Sequence, residues 1–145
     1  MYFEEFTVGQ SYDVPAFTVT REQIIAFAKD YDPLPLHLDE DYAKTTRFGG
    51  LVSSGVMTFM LLWTGFIKAH NPLGAELVAG RSNHMSWPAP TYPGDTLSGT
   101  VTVVRVERRN PYNGLVELSL TAYNQNGEQV VGGGAECVVL TREQA

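Results

Sequence analysis

The chain has 145 residues, of which 43% are hydrophobic and 18% charged, a composition typical of a soluble globular protein. This length suits one buried core, and we expect residues 1–145 to form a single domain. A formal net charge of -6 argues against nucleic acid as the main partner, although it leaves room for a local basic pocket that binds a small anion.

The start of the chain predicts a location and a first strand. Met1–Phe6 has neither the basic residues nor the long apolar run of a signal peptide, so we expect a cytoplasmic protein. Residues 12–19 are rich in β-forming side chains and predict a strand, in which Pro15 favours an edge position or a bulge.

A helix is predicted from Arg21 to Tyr31, where apolar residues recur at i, i+3, i+4 and i+7. Thr20–Gln23 has the form of a capping box at its start. Pro33 and Pro35 each push the preceding residue out of the α region, so the loop 32–36 should be extended and stiff. A stiff loop suits side chains that must be held in place.

Two more helices are predicted before the chain changes its pattern. A short helix should lie within residues 38–46, with Asp39 as its cap. A longer helix, from about Gly55 to Ala69, is apolar on nearly every side and should be capped by Ser53 or Ser54. Because a membrane span needs about 20 apolar residues, we interpret this helix as a central buried one and expect no membrane partner.

From residue 76 onward the apolar residues alternate, which predicts four strands at 77–87, 96–108, 116–123 and 129–140. Asn126-Gly127 is a hairpin signal between the last two strands. Gly132-Gly133-Gly134 predicts sharp bending or the close approach of another backbone. Cys137, the only cysteine, should lie in the core, and it excludes an internal disulfide and a cysteine metal site.

This order of elements predicts an α+β protein with the hotdog fold, in which an antiparallel sheet wraps around a long central helix. That arrangement satisfies both the apolarity of the helix and the alternation of the strands. A single copy would leave a sheet edge and one flank of the helix exposed, so we expect a homodimer.

Two segments of the chain resemble the signature of MaoC-like dehydratases, which are relatives of the (R)-specific enoyl-CoA hydratases. The first begins near Phe27-Ala28 and contains Asp32-Pro33-Leu34-Pro35-Leu36-His37-Leu38-Asp39, followed by Phe48-Gly49-Gly50-Leu51-Val52-Ser53-Ser54-Gly55. The second runs from Trp87 to Leu97, contains Tyr92-Pro93-Gly94-Asp95-Thr96-Leu97, and is similar to a strand-turn-strand segment of the family. The similarity extends in order over most of the chain.

The resemblance implies a hydro-lyase that adds water to an enoyl-CoA type of thioester or removes it from a 3-hydroxyacyl thioester. In that family the matching acid and histidine activate water, which assigns this role to Asp32 and His37. The matching glycine amide, here that of Gly55, polarises the thioester carbonyl. The reaction requires no metal or redox cofactor, and coenzyme A takes part only as a portion of the substrate.

The residues themselves are compatible with this chemistry but also have simpler explanations. An acid and an imidazole can supply a general base for water, and a glycine N–H at a helix N-terminus can stabilise negative charge on an oxygen. Alternatively, Asp32 only ends a helix and His37 only bonds to the backbone. Gly55 can equally serve a tight helix entry, so both explanations of this glycine stay open.

The chain departs from the family pattern at three positions. Leu34 stands where the hydratases usually carry Asn or Gln, Ser54 where they often carry His, and Trp63 where a polar residue lies on the central helix. The departures at Leu34 and Ser54 keep open a non-catalytic acyl-CoA-binding protein or assembly subunit, and a thioesterase also stays open because some thioesterases share the hotdog fold. Some hotdog thioesterases carry a carboxylate on the central helix. This chain has no Asp or Glu between Asp41 and Glu76, which argues against that type of thioesterase only.

Cationic side chains could bind the phosphates of coenzyme A. A cluster on one strand end is a candidate, and simple solvation of that strand end is the alternative. The candidates are Arg105, Arg108 and Arg109 in this cluster, and Lys44, Arg47 and Arg81 elsewhere.

Overall fold

The computed structural model describes residues 1–142, which contain one five-stranded antiparallel sheet and four α-helices. The helices are α1 (Arg21–Tyr31), α2 (Pro35–Leu38), α3 (Glu40–Lys44) and α4 (Gly55–Ala69). The strands are β1 (Ser11–Thr18), β2 (Leu77–Ser86), β3 (Thr96–Arg108), β4 (Asn113–Tyr123) and β5 (Gln129–Leu140). Their order in the sheet is β1-β3-β4-β5-β2, and every neighbouring pair is antiparallel. None of the helices within these residues is long and apolar enough to cross a membrane.

Helix α4 packs its apolar face against the sheet, which confirms the predicted α+β hotdog fold. Phe59, Leu62 and Phe66 are buried in one cluster with the inward side chains of β3, β4 and β5. The packing is close, since a Cβ atom at Gly99 would collide with the side chain of Leu62. Shortening such a fully buried leucine to alanine typically costs about 2–5 kcal/mol of stability.

One side of α4 is open, so the expectation of a helix buried on every side is wrong there. Val56 and Met60 are 40% and 43% exposed, and Thr64 and Lys68 continue the same i, i+4 stripe at the surface. The prediction failed there because Val56 and Met60 are apolar, and their sequence pattern is the same as that of core residues. We call Val56, Met60, Thr64 and Lys68 the open face of α4.

The two edges of the sheet differ. Strand β1 lies at one edge and carries a register shift between Val14 and Phe17, which agrees with the edge or bulge predicted from Pro15. Strand β2 pairs only with β5 and exposes nearly all of its residues. The glycine run of β5 pairs with the end of β2, and the space of a Cβ at Gly133 is taken by the carbonyl oxygen of His84. The predicted close approach of another backbone is therefore confirmed.

Candidate active site

The acid and the histidine are positioned by the end of α1 and by the short helix after it. The N–H of Asp32 donates to the carbonyl of Ala28 at 3.0 Å, after which the backbone leaves the helical region. Leu34 is extended, as the following proline predicts. Residues 35–38 are helical, however, so the prediction of an extended loop through residue 36 is wrong. Pro35 can begin a helix because its missing N–H is not needed at the first position.

The turn of α2 brings His37 back to Asp32. Atom Nε2 of His37 lies 3.3 Å from Oδ2 of Asp32, and atom Nδ1 lies 2.7 Å from the carbonyl oxygen of Val52. The histidine is 7% exposed, while the carboxylate side chain is 30% exposed and reaches solvent. The simpler explanation for His37 is thus partly correct: it does bond to the backbone, but through only one of its two nitrogens.

These two contacts locate the proton on the imidazole ring. A carbonyl oxygen can only accept, so Nδ1 must carry a hydrogen and donate it to Val52. Nε2 then faces the carboxylate of Asp32 with no other partner among the described residues. Nε2 is therefore the ring nitrogen that is left for proton exchange at the site, next to the carboxylate of Asp32.

The segment before α4 is fixed by the loop that follows β2. The N–H of Ser53 donates to the carbonyl of Thr91 at 2.9 Å, and the hydroxyl of Tyr92 donates to the carbonyl of Phe48 at 2.9 Å. The carboxylate of Asp95 in turn accepts from the N–H of Tyr92. The two segments that carry the sequence resemblance therefore contact each other and form one support for the site.

Helix α4 begins at Gly55, as predicted, but its cap differs from the prediction. Ser54 occupies the cap position, and its carbonyl accepts from the N–H groups of Met57 and Thr58 at 3.1 and 3.3 Å. Its hydroxyl makes no capping hydrogen bond, and Ser53 does not cap the helix either. Among residues 1–142 the N–H of Gly55 has no acceptor, so it is one of the free donors at the positive end of the helix.

The indole of Trp87 lies against Gly55. A Cβ atom at this position would overlap the indole ring, so only glycine allows Trp87 to lie where it does. Trp87 is 44% exposed and follows directly after β2. Trp87 begins the second segment of the resemblance, but no local sequence pattern predicts its contact with Gly55.

A cavity of about 330 Å³ joins these groups. Its lining includes Asp32, His37, Ser54, Gly55, Trp87 and Arg47. All three residues predicted for the reaction centre, Asp32, His37 and Gly55, are therefore brought together at one cavity.

Three arginines considered for phosphate binding differ in whether acidic side chains of this protein already pair with them. Arg105 is paired with Glu107, Glu117 and Glu136 on the outer face of the sheet, and hydrogen bonding to Glu117 raises its pKa. Arg108 is paired with Glu4. Arg47 instead lines the cavity and lies over the ring of Phe48, with no ion pair among the described residues. Trp63 is not part of the cavity lining and packs against Phe66.

The chain is similar in sequence to several known proteins. The family model of the MaoC like domain matches residues 4–124. The Bacillus subtilis protein YdeM is 32% identical over 134 residues, which cover 92% of this chain and 94% of YdeM. An (R)-specific enoyl-CoA hydratase of Rhodospirillum rubrum is 36% identical over 107 residues, which cover 70% of this chain and 69% of that protein.

A solved structure shares the whole fold. The MaoC-like dehydratase from Rhodospirillum rubrum superimposes with a TM-score of 0.88 at 34% identity, and the match covers 98% of both chains. The family model and the shared fold identify the same family, and the site has the acid, the histidine and the helix N-terminus that the resemblance implies. This chain belongs to the MaoC-like dehydratase family.

Proposed function

We propose that this protein is a hydro-lyase that adds water across the C2=C3 bond of an enoyl-CoA type of thioester, and in reverse dehydrates a 3-hydroxyacyl thioester. The observation that carries the proposal is the position of the Asp32–His37 pair at the same cavity as the free N–H of Gly55. Membership of the MaoC-like family and the similarity to an (R)-specific enoyl-CoA hydratase support it.

The paired acid and base account for both proton transfers. Asp32 takes a proton from water as the water oxygen attacks C3, and His37 gives its Nε2 proton to C2. A proton then passes from the Asp32 carboxyl to Nε2 over the 3.3 Å that separates them, which restores the starting state. Negative charge that develops on the thioester oxygen is stabilised by the N–H of Gly55 at the positive end of α4. The catalytic groups are thus Asp32, His37 and Gly55.

Coenzyme A enters this scheme as part of the substrate, and no further cofactor takes part. Arg47 is the cation that lines the cavity without a carboxylate partner in the described part of the chain, so it is available to an anionic group of the substrate. Arg105 and Arg108 are less suited, because acidic side chains of this protein already neutralise them.

We further propose that the protein acts as a homodimer, with the cavity at or near the interface. The free edge of β2 exposes Leu77 and Val78 at 37% and 51%, and the open face of α4 exposes Val56 and Met60. A long exposed edge strand and exposed apolar side chains on a helix are unfavourable in water, and both suit a second copy of the chain. Val56 belongs both to this surface and to the cavity lining, which links assembly to the site.

Incubation with crotonyl-CoA tests the proposed reaction against its alternatives. Loss of the enoyl absorbance without release of thiol is the expected result and indicates hydration. Release of free coenzyme A, detected with a thiol reagent, would indicate a thioesterase. Saturable binding of crotonyl-CoA with neither change would indicate a binding protein, and either of these two results would reject the hydro-lyase.

A further inference from the structure

Ser54 is buried beside the reaction centre with its hydrogen-bonding capacity unused. The residue is 1% exposed and lines the cavity together with His37 and Gly55. Its Oγ has no hydrogen-bond partner in the described part of the chain. No other buried side-chain nitrogen or oxygen in residues 1–142 shares this condition.

The unused hydroxyl is unexpected at this position. A serine at a helix cap normally accepts from an N–H of the first turn, and this contact stabilises the helix. Here Ser54 occupies the cap position of α4, yet its side chain makes no such bond. A buried hydroxyl without a partner destabilises the folded protein, because it has lost its hydrogen bonds to water. Residues kept at such a cost often serve a ligand.

We propose that the hydroxyl of Ser54 is a second donor to the thioester carbonyl oxygen, beside the N–H of Gly55. This inference rests on the proposed function, since it assigns a further catalytic residue to the same substrate. The hydroxyl and the N–H belong to adjacent residues at the N-terminus of α4, and both residues line the cavity, so the proposal places one oxygen atom within reach of both. A developing negative charge on that oxygen strengthens both hydrogen bonds, which lowers the barrier to addition at C3.

Trp87 supplies the access that this role requires. Because the hydroxyl is shielded from solvent, a neighbouring group has to move before a ligand can reach it. The indole of Trp87 covers the adjacent Gly55, lines the same cavity and is 44% exposed, so it can turn outward without opening the core. The thioester group then takes the position of the indole.

The kinetic test compares Ser54→Ala with a matched neighbour, Ser53→Ala. The hydroxyl of Ser53 is also buried but donates to the carbonyl of Ser54 at 3.0 Å, so it is already used inside the protein. Ser54→Ala should lower kcat for crotonyl-CoA hydration by about 10²-fold while its Tm stays equal to or above that of the parent. Ser53→Ala should lower Tm and keep kcat within a few-fold. Equal kcat values for Ser54→Ala and the parent would overturn the proposal.

A spectroscopic test separates this inference from the proposed function. Butyryl-CoA has no C2=C3 bond to hydrate, and ¹³C at its thioester carbonyl gives an infrared band whose frequency falls with hydrogen bonding. In the complex with the parent this band should lie lower than in the complex with Ser54→Ala, and Ser53→Ala should match the parent. The same frequency in parent and Ser54→Ala, or no binding of butyryl-CoA at all, overturns the role of Ser54. A shift that depends on Ser54 in a protein that fails to hydrate crotonyl-CoA would reject the hydro-lyase and retain the donor.

Discussion

The Nδ1 atom of His37 lies 2.7 Å from the carbonyl oxygen of Val52, 15 residues later in the chain. This contact removes one of the two nitrogens from the chemistry and fixes the ring with Nε2 toward Asp32. The carbonyl belongs to the segment that leads directly into α4, so the imidazole and the helix N-terminus are held by the same few residues. The groups proposed for proton transfer and for stabilising the thioester oxygen are therefore positioned together.

Gly55→Ala should disturb the site through Trp87. The added methyl group would overlap the indole, so the ring should turn into solvent. In a Trp63→Phe background, which leaves Trp87 as the sole tryptophan, the fluorescence emission should shift to longer wavelength. We expect kcat/KM for crotonyl-CoA to fall by at least about 10-fold, since the carbonyl must approach the same surface.

Trp87→Ala combined with Gly55→Ala provides the control for this effect. If the overlap is responsible, Gly55→Ala should change Tm less in the Trp87→Ala background than in the parent. An emission spectrum unchanged by Gly55→Ala would show that the indole does not occupy the position described.

Charge on the proposed interface should separate the subunits. Met60→Lys and Val78→Lys each place an ammonium group on an apolar surface that a second copy would bury, which is strongly unfavourable. Sedimentation velocity at micromolar concentration should find a dimer for the parent and a shift toward monomer for each variant. Val8→Lys, at a comparably exposed valine on the lead-in to β1, should remain dimeric. A monomeric parent would reject the proposed assembly.

The Cys137 thiol should be inert in the folded protein. Burial raises its pKa from 9.0 to about 11, and the residue is 3% exposed. At pH 8 the thiol should react with a disulfide reagent only after denaturation, so it will not interfere with detection of coenzyme A. Rapid reaction of the native protein would contradict the described burial.

The same pKa shift predicts a pH dependence of stability. The folded state holds the thiol proton more tightly than the unfolded chain, so the contribution is complete below about pH 9 and lost as the pH rises toward 11. Urea unfolding at pH 8 and pH 10 should show this loss for the parent. Cys137→Ala should reduce the difference between the two pH values, and an equal difference in both proteins would count against the shift.

Local signals predicted much of this structure. The capping box at Thr20 and the proline after Asp32 set both ends of α1, and the structure has the bounds Arg21–Tyr31. Helix α4 and strands β3 and β5 also have their predicted bounds, because their periodicity and flanking turns agree. The spacing of Asp32 and His37 permits a contact between them but does not predict it. Their proposed roles came from the family resemblance.

Other features depended on contacts between distant segments. The prolines predicted an extended loop through residue 36, whereas Pro35 begins α2. This helical turn brings His37 toward Asp32. Ser54 has the residue type and position of a cap, but its side chain does not bond to the helix. The position of Trp87 over Gly55 requires the strand β2 to end beside the start of α4, which no local pattern encodes.

The most direct test of the account is a double-mutant cycle on crotonyl-CoA hydration with Asp32→Asn and His37→Ala. An amide cannot take the proton of water, and it offers a donor where the imidazole or the water expects an acceptor. Each single change should lower kcat/KM by about 10²–10⁴-fold. The double variant should be little worse than the poorer single variant, because both groups act on one water and one substrate. Thermal unfolding of each variant should accompany the kinetics, so that loss of folding is not mistaken for loss of chemistry. If Asp32→Asn turns over crotonyl-CoA within a few-fold of the parent, the carboxylate is only part of the loop and the mechanism is wrong.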